Sequence, residues 1–376
     1  MSTRHEGRPF PVIDTRSFAT PRQRGEAYGL QAKTQIAESL RTYSSLFASC
    51  GIGWVDAGRR ALAYRDCIAW TDPDLIEELE GIAHGAGAQF AEILALNCRT
   101  EILPASLFTN SETRLPDLGE CTAIAVSPKS SADGHCWLAQ NWDWLGRQRN
   151  AMVVLHTVDA HGTPITTLTE AGMLAKIGLN ARGMAVGLNI LRTLDDGVRP
   201  GVPVHVLLRH ALSFDSLASF RKRLAVIVEG PGFGAGSNIP AADASGDVAC
   251  FELSPRGWGE CPPEDGVAIH TNHFLCSTLA PQQAELGASL ATGARLQCAA
   301  THAGARPVSV AAIERMLRDE SDGFTSICRS PDPALPEAAR LESVAGIRID
   351  CTERRWWIAP DIPSQVAFVE VPTGFD

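Results

Sequence analysis

The sequence predicts an α+β protein in which sheets stack on each other and helices lie outside them. Three observations lead to this fold class. The first hundred residues have helical patterns, residues 121–190 hold short strand-like runs separated by turns, and the later helices and strands come in blocks. Such blocks indicate antiparallel sheets, because strands that alternate singly with helices are the pattern of a parallel sheet.

The first predicted helix begins at Thr20 and Pro21. A threonine side chain can cap a helix, and proline in the first turn has a preset φ and no amide hydrogen to satisfy. The helical pattern continues to Cys50, and Gly51 is expected to end it. Further helices of this first region are predicted near 56–69, 74–85 and 88–96.

Strand-like runs and a second set of helices follow a loop-like stretch at 103–118, which is the predicted exposed boundary. Short apolar or alternating runs bounded by turn residues are typical of strands. The strands are expected at 121–126, 136–140, 152–158, 164–169, 184–190, 248–253, 266–271, 345–350, 354–359 and 365–371. Two helices are expected near 203–227, and others near 282–303 and 309–319.

Composition excludes several classes of protein. The chain has 376 residues, with 33 Lys plus Arg against 43 Asp plus Glu, and its net charge of −10 disfavours a nucleic-acid binder. The longest apolar runs are far shorter than the roughly 20 residues of a membrane helix, and the polar N-terminus has no signal-peptide core. We therefore expect no nucleic-acid or membrane partner.

Cysteine usage indicates a reducing compartment. The chain has 11 cysteines, an odd number, and no two of them form a C-x-x-C pair. A disulfide scaffold or a structural zinc site is disfavoured, so we expect reduced thiols, a cytoplasmic location and no metal. The glycine-rich run at 230–236 is not a dinucleotide-binding pattern, and no cofactor is expected.

Cys121 is the strongest candidate nucleophile. In 119-GECTAIAV-126 it opens a predicted strand directly after a loop and is followed by Thr122. A thiol reacts well only as a thiolate, so this interpretation requires a nearby base or cation. The alternative is a buried cysteine at a strand end.

Asp143 stands between two tryptophans in 140-QNWDWLGR-147. A carboxylate between large rings could orient an amine or a guanidinium, and Trp142 and Trp144 could wall a substrate pocket. The alternative is a strand-end aspartate in a turn, with the two tryptophans in the core.

Ser237 and Asn238 follow the glycine-rich run in 230-GPGFGAGSNIPAAD-243. Glycines allow close backbone approach to a substrate, and an asparagine amide is a plausible oxyanion donor. The alternative is a flexible surface loop.

The motif 270-HTNHF-274 places two histidines beyond an apolar strand. A metal could be held by His270 and His273, but no third ligand is evident and a strand does not place residues i and i+3 on one face. A hydrogen-bonded structural pair or a wall of the active site, with Asn272 and Phe274 beside it, is favoured.

The motif 323-GFTSICRS-330 holds Ser326, Cys328 and Arg329 between the acidic 319-DESD-322 and a proline-rich stretch. Its alternatives are a contribution to the active site and a turn-rich surface connection. No G-x-S-x-G elbow is present, which argues against an α/β-hydrolase.

Taken in order, these segments resemble the acyl-CoA:6-aminopenicillanic acid acyltransferase family, also called the C45 peptidase family, a branch of the N-terminal-nucleophile hydrolases. The matching stretches are 79-LEGIAHGAG-87, 96-LNCRTEI-102, 121-CTAIAV-126, 140-QNWDW-144, 167-TLTEAGMLAKIGLNARGMAVGLN-189, 236-GSNIPAADASG-246, 270-HTNHF-274 and 323-GFTSICR-329. Together they cover nearly the whole chain after about residue 20.

The resemblance implies a four-layer αββα sandwich and a self-cleaving precursor. Cleavage between Glu120 and Cys121 would leave residues 1–120 as a helical α subunit and 121–376 as a catalytic β subunit, which together form one domain. Glu120 stands where the penicillin-forming fungal member has glycine. The two subunits are expected to remain together as an αβ heterodimer, and a further homo-oligomer of this heterodimer is left open.

The resemblance also assigns roles to residues. The α-amino group of Cys121 would act as its base, Asp143 would orient it, and Asn238 would support the oxyanion. Ser326 and Arg329 would shape the site or aid processing.

Two enzyme functions use the same Cys121 acyl-enzyme. The first is hydrolysis of a small N-acyl or aminoacyl amide, and the second is transfer of an acyl group from acyl-CoA or an amide to an amine. Trp142, Trp144 and Phe274 suggest an apolar or aromatic part of the substrate. Hydrolysis is favoured, and a non-catalytic scaffold is the third and weakest alternative.

Overall fold

The computed structural model describes residues 9–103, 121–283, 289–337 and 340–375. The helices of these ranges are α1 Pro21–Gln31, α2 Lys33–Ser49, α3 Trp54–Ala61, α4 Arg65–Thr71, α5 Pro73–Ala86, α6 Phe90–Asn97, α7 Arg99–Ile102, α8 Val204–Ala211, α9 Leu217–Glu229, α10 Ser289–His302 and α11 Val310–Leu317. No helix in the described part of the chain has the length and apolar character needed to cross a membrane.

The strands form two sheets. They are β1 Val12–Asp14, β2 Thr122–Val126, β3 Trp137–Leu145, β4 Met152–Val158, β5 Pro164–Glu170, β6 Ile177–Asn180, β7 Ala185–Val186, β8 Asn189–Ile190, β9 Ser237–Ala242, β10 Val248–Ser254, β11 Gly257–Cys261, β12 Val267–His270, β13 Leu341–Asp350, β14 Arg355–Ala359 and β15 Val369–Val371. The first sheet has the order β1-β4-β5-β6-β7-β9-β10-β11, with β8 also paired to β9. The second has the order β12-β2-β3-β13-β14-β15.

The two sheets pack face to face, and helices lie outside them. Strands β2 and β3 contact β9, and β12 contacts β9 and β10. Gln140 of β3 bridges the sheets, since its side chain accepts from the Leu188 amide at 2.9 Å and donates to the Leu188 carbonyl. On the outer sides, α10 and α11 contact the second sheet, and α2 and α9 contact the first. The predicted α+β fold with stacked sheets and outer helices is therefore confirmed.

The N-terminal region is integrated into this fold by a strand as well as by helices. β1 pairs with β4 in parallel, whereas the other strand pairs are antiparallel. Helices α1 and α5 approach closely through glycines: a Cβ built on Gly25 would lie 2.0 Å from the Glu78 carbonyl oxygen. Any larger residue at position 25 would push these helices apart.

Most predicted elements are present, and three differences are informative. Thr20 caps α1 as predicted, but the long helix breaks at Ala32, so α1 and α2 are separate. The stretch 230–243 is not a flexible surface loop, because it contains β9, whose residues are all buried. Strands β1, β6 and β11 were not predicted. The predicted boundary at 103–118 lies outside the described residues apart from Leu103.

Candidate active site

Cys121 lies immediately before β2, a strand that contacts α10. Its exposed fraction is 3%. Its backbone is held by three side chains. The amide N–H donates to Asn272 Oδ1 at 2.8 Å, and the carbonyl oxygen accepts from Asn189 Nδ2 at 3.0 Å and from Arg295 Nη1 at 2.9 Å. Both backbone polar groups of the predicted nucleophile are thus fixed by buried or half-buried amides and a guanidinium.

Arg295 joins the elements that surround Cys121. Its Nη1 also donates to Thr122 Oγ1 at 3.0 Å, and its Nη2 donates to Asn272 Oδ1 at 3.1 Å. Asn272 in turn donates to the Ile190 carbonyl at 2.9 Å. One fully buried guanidinium on α10 therefore connects the start of β2 with the loop after β12.

Asn238 reaches Cys121 through a second asparagine. Asn189 and Asn238 are opposite each other in the β8–β9 pair, and Asn238 Nδ2 donates to Asn189 Oδ1 at 2.9 Å. The Asn189 amide is thereby oriented so that its own Nδ2 donates to the Cys121 carbonyl. The neighbouring Ser237 is buried, and its hydroxyl has no hydrogen-bond partner among the described residues.

Asp143 is buried near the end of β3. Its Oδ1 accepts from Ser343 Oγ at 2.6 Å, and its Oδ2 has no hydrogen-bond partner in the described part of the chain. Burial raises the pKa of Asp143 to about 7, and the Ser343 hydroxyl and the charge of Arg295 oppose that rise. A carboxyl group with this pKa can hold or release a proton near neutral pH.

The Cys121 thiol is subject to opposing influences. Burial, followed by the charge of Asp143, raises its pKa, whereas Lys176, the Asp143 backbone amide and Arg295 lower it. On balance the pKa of Cys121 stays above its ordinary value, so Lys176 and Arg295 reduce the rise without cancelling it.

A buried charged cluster supports this site, which we call the Glu170 cluster: Glu170, Arg99, Lys176 and Tyr43. Glu170 Oε2 lies 3.3 Å from Arg99 Nη2 and 3.7 Å from Lys176 Nζ, and Glu170 Oε1 accepts from the Tyr43 hydroxyl. Burial lowers the pKa of Lys176 to about 7, and Glu170 opposes that change. Two members, Arg99 and Tyr43, come from the N-terminal region.

The tryptophans beside Asp143 do not leave their faces open for an apolar substrate. Lys176 Nζ lies 3.6 Å from the centre of the Trp142 ring, and the Arg99 guanidinium lies 4.5 Å from that of Trp144. Both rings are fully buried and interact with cations instead. Phe274 is also apart from them, since it packs with Leu191 and Leu279. The expected aromatic wall is therefore not assembled.

The two histidines of 270-HTNHF-274 have different partners. His270 Nε2 lies 2.7 Å from Glu252 Oε1, and its Nδ1 lies 2.8 Å from the Thr271 carbonyl oxygen. His273 Nδ1 instead contacts the Thr271 and Thr292 hydroxyls at 3.2 and 3.0 Å. They belong to hydrogen-bonded networks around Asn272 and do not face one another.

The stretch 323–329 supports the site from outside. Ser326 Oγ accepts from the Asp322 amide at 2.7 Å and does not reach Cys121. The Arg329 amide donates to Ser343 Oγ at 2.9 Å, and Ser343 donates to Asp143. Arg329 thus acts on Asp143 through Ser343. Glu120, on the other side of the predicted cleavage point, lies outside the described residues.

Three contributors were not singled out from the sequence: Asn189, Lys176 and Arg295. Asn189 and Lys176 lie in the segment 167–189, where a polar residue within an apolar strand pattern is a usable signal. Arg295 offered no such signal, because an arginine in a helix is ordinarily solvated. Taken together, the residues around Cys121 can activate a thiol and hold the atoms next to it for attack on a carbonyl carbon.

Comparison with known proteins identifies relatives of this chain. The profile of the family described as acyl-coenzyme A:6-aminopenicillanic acid acyl-transferase matches residues 130–364, a range that contains Asp143, Asn238 and Arg295 and begins after Cys121. The 40 kDa form of acyl-coenzyme A:6-aminopenicillanic-acid-acyltransferase from Emericella nidulans is 33% identical over 206 residues. That match covers 54% of this chain and 52% of the relative, so it spans about half the length of each.

Two solved structures are also similar. Penicillin V acylase from Agrobacterium tumefaciens has a TM-score of 0.40 and 15% identity, over 63% of this chain and 82% of that one. A mutant conjugated bile acid hydrolase from Clostridium perfringens has a TM-score of 0.39 and 9% identity, over 68% of this chain and 97% of that one. At these TM-scores nothing further is drawn from them.

Proposed function

The chain belongs to the acyl-coenzyme A:6-aminopenicillanic acid acyl-transferase family, and from that premise we propose that it is a self-processing N-terminal-cysteine amidohydrolase. Its substrate is a small N-acyl or aminoacyl amide, and no metal or cofactor takes part in the reaction. The observation that carries the proposal is the set of three hydrogen bonds that Asn272, Asn189 and Arg295 make to the backbone of Cys121.

These hydrogen bonds suit a nucleophilic cysteine whose backbone nitrogen becomes the N-terminus of the chain after cleavage. Asn272 Oδ1 accepts the Cys121 amide hydrogen, and the same oxygen can accept a hydrogen from the α-amino group after cleavage. An α-amino group has a pKa of about 7.7–8.0, so near neutral pH a fraction of it is unprotonated and can take the thiol proton.

Catalysis then proceeds through an acyl-enzyme. The Cys121 sulfur attacks the amide carbonyl carbon, and the α-amino group takes the thiol proton and passes it to the departing amine. Water next attacks the thioester, and the carboxylic acid leaves while the thiol regains its proton. Asp143 orients the α-amino group, and Asn238 supports the oxyanion with Asn189 beside it.

Acyl transfer is the second candidate, favoured by the names of the matched family and of the Emericella nidulans relative. An amine in place of water would resolve the same acyl-enzyme into a new amide. The chemistry at Cys121 is unchanged, and the two functions differ only in the acceptor.

Self-processing would divide the chain into residues 1–120 and 121–376. The contacts of the described residues support continued association of the two parts. β1 is paired with β4, and Arg99 and Tyr43 are buried against Glu170. Separation would expose that cluster and break a sheet, so an αβ heterodimer is the proposed mature form.

Intact mass spectrometry of freshly purified wild type and Cys121→Ala tests the processing step. Two fragments in the wild type, the larger starting at Cys121, and one full-length chain in the variant are expected. A panel of N-acyl amides, with and without an amine acceptor, then tests the reaction. A thiol alkylator should abolish turnover, whereas loss of turnover with a chelator instead would overturn the cysteine mechanism.

A further inference from the structure

We propose that Cys298, His302 and Asp319 form a binding site for a zinc-class divalent cation, outside the active site. The three residues lie at the ends of two outer helices: Cys298 and His302 are in α10, and Asp319 follows α11. The Cys298 sulfur, a ring nitrogen of His302 and a carboxylate oxygen of Asp319 all lie within 4.8 Å of one another. The proposal also gives a role to the acidic run 319–322.

The geometry already resembles that of a metal site. Cys298 and His302 are four residues apart in α10, a spacing that places both side chains on one helix face. His302 Nε2 lies 2.8 Å from Asp319 Oδ2. Ligand atoms around a tetrahedral zinc with bonds of about 2.0 Å are about 3.3 Å apart, so an opening of about half an ångström admits the ion.

Asp319 is held in place by contacts that a metal would not disturb. Its Oδ1 accepts from the Ser321 amide at 3.1 Å and from the Ser321 hydroxyl at 2.6 Å, which leaves Oδ2 directed at His302. Hydrogen bonds of this kind orient metal ligands and restrict their motion.

The local charges favour a cation. His302 is the last residue of α10, and Asp319 comes just after the end of α11, so the negative ends of two helix dipoles converge there. Arg318, which directly follows α11, is turned away, with its guanidinium 5.3 Å from the Phe368 ring centre and bonded to the Pro363 carbonyl. Burial, followed by the charge of Asp319, raises the pKa of the Cys298 thiol, a rise that a bound cation would reverse.

The donor set and its accessibility select the class of ion. A thiolate, an imidazole and a carboxylate suit Zn²⁺ or Co²⁺ better than Mg²⁺ or Ca²⁺. The side chains of His302 and Asp319 are 25% and 16% exposed, so an ion can enter and a water molecule can complete four ligands. On binding, the Cys298 thiol releases its proton to solvent, and no redox change occurs.

A cation bound at this site would link α10, through Cys298 and His302, to Asp319 in the segment after α11. Arg295, which contacts the Cys121 carbonyl, lies on the same helix less than one turn before Cys298. The cation would therefore stabilise the helix that holds the start of β2, without touching the reacting atoms.

Co²⁺ titration of reduced, metal-stripped full-length protein tests the site, because a cobalt–thiolate bond gives a charge-transfer absorption band. We expect a band that saturates at one equivalent. In Cys298→Ser it should be lost, and in His302→Gln the Co²⁺ affinity should fall at least about 100-fold. Cys67→Ser is the matched control, a half-buried cysteine of α4 with no place in the cluster, and should leave the band unchanged.

Thermal unfolding gives a second readout. One equivalent of Zn²⁺ should raise the unfolding midpoint of the wild type and of Cys67→Ser but not that of Cys298→Ser, whose midpoint without metal should match the wild type. The absence of a cobalt band would overturn the proposal. So would a band that survives in Cys298→Ser and disappears in Cys261→Ser, because it would assign the cation to the other described group of this kind, Glu252, Cys261 and His270.

Discussion

The two ends of β3 carry buried cysteines in opposite electrostatic surroundings. Cys136 precedes the strand and lies beside Cys351, whose amide donates to the Cys136 carbonyl at 2.9 Å. Cys121 lies at the other end, beside Asp143. The hydrogen bond to Cys136, then burial, raises the pKa of Cys351, and Asp350 and Asp243 raise it further. At Cys121, burial and then the charge of Asp143 also raise the pKa, but Lys176 and Arg295 act in the opposite direction and limit the rise.

Burial alone therefore does not identify a reactive thiol. Both ends exclude water, and both are close to carboxylates. Among the described residues, buried cations lie at the Cys121 end: Glu170 balances Lys176 and Arg99 in the core, and Arg295 bonds directly to the Cys121 carbonyl. The charge of these neighbours, and not the degree of burial, separates the proposed nucleophile from a structural cysteine.

The largest expected effect is loss of turnover in Cys121→Ala. Without the sulfur no acyl-enzyme forms, so amide hydrolysis should fall at least about 10⁴-fold. Steady-state kinetics on the best amide of the panel measures this. Cys136→Ala is the control at the opposite end of β3, and equal losses in the two variants would contradict the comparison.

Asp143→Asn is expected to lower turnover about 10²-fold or more, because the amide cannot exchange a proton or orient the amine as the carboxylate does. The variant should also change the pH dependence of stability. The pKa of Asp143 rises from 3.8 in the unfolded chain to about 7 in the folded one, so its stabilising contribution is present below pH 4 and is lost as pH rises to 7.

Urea unfolding from pH 4 to pH 7 checks that sign. The free energy of unfolding of the wild type should decline relative to Asp143→Asn by up to about 1.4 kcal/mol per pH unit across this range. A constant difference between the two proteins would mean that Asp143 keeps its ordinary pKa in the folded state.

Lys176→Met should raise the pKa of Cys121 further, because a nearby cation that favours the thiolate is removed. Alkylation of Cys121 at neutral pH should then be roughly tenfold slower, measured by mass spectrometry of the Cys121 peptide. Lys222→Met, an exposed lysine of α9, is the control and should leave the rate unchanged. An unchanged alkylation rate in Lys176→Met would mean that the charge of Lys176 does not affect the pKa of the Cys121 thiol.

The smallest effect is expected for Cys351→Ala. Removing one buried sulfur should lower the free energy of unfolding by about 1 kcal/mol and leave turnover unchanged. Denaturant unfolding and steady-state kinetics measure the two quantities. A large loss of turnover would mean that this end of β3 also contributes to the reaction.

Local signals in the sequence predicted much of the fold. The cap at Thr20 and the turn-bounded apolar runs act over a few residues, and the structure contains the elements they predict. β9 was misread because Pro240 and the preceding glycines argue against a central strand. The strand tolerates Pro240 because its partner changes there: Ala241 and Ala242 pair with β7, whereas Ser237 and Asn238 pair with β8.

The sequence named candidate site residues that the structure brings close together, but it did not indicate their contacts. Cys121, Asp143 and Asn238 stand in recognisable motifs, and the structure brings Asp143, and Asn238 through Asn189, to Cys121. The sequence left the tryptophans between a pocket wall and the core, since spacing along a strand does not show that Lys176 and Arg99 lie over their rings.

The fold class, the order of elements and the family can be read from the amino-acid sequence, because they depend on local patterns and on motifs that keep their order along the chain. Which charges surround Cys121 depends on the folded chain. Arg99, Lys176 and Arg295 come from three distant parts of the chain. Electrostatic interactions act through space and depend on distance and burial, which no short stretch of sequence encodes.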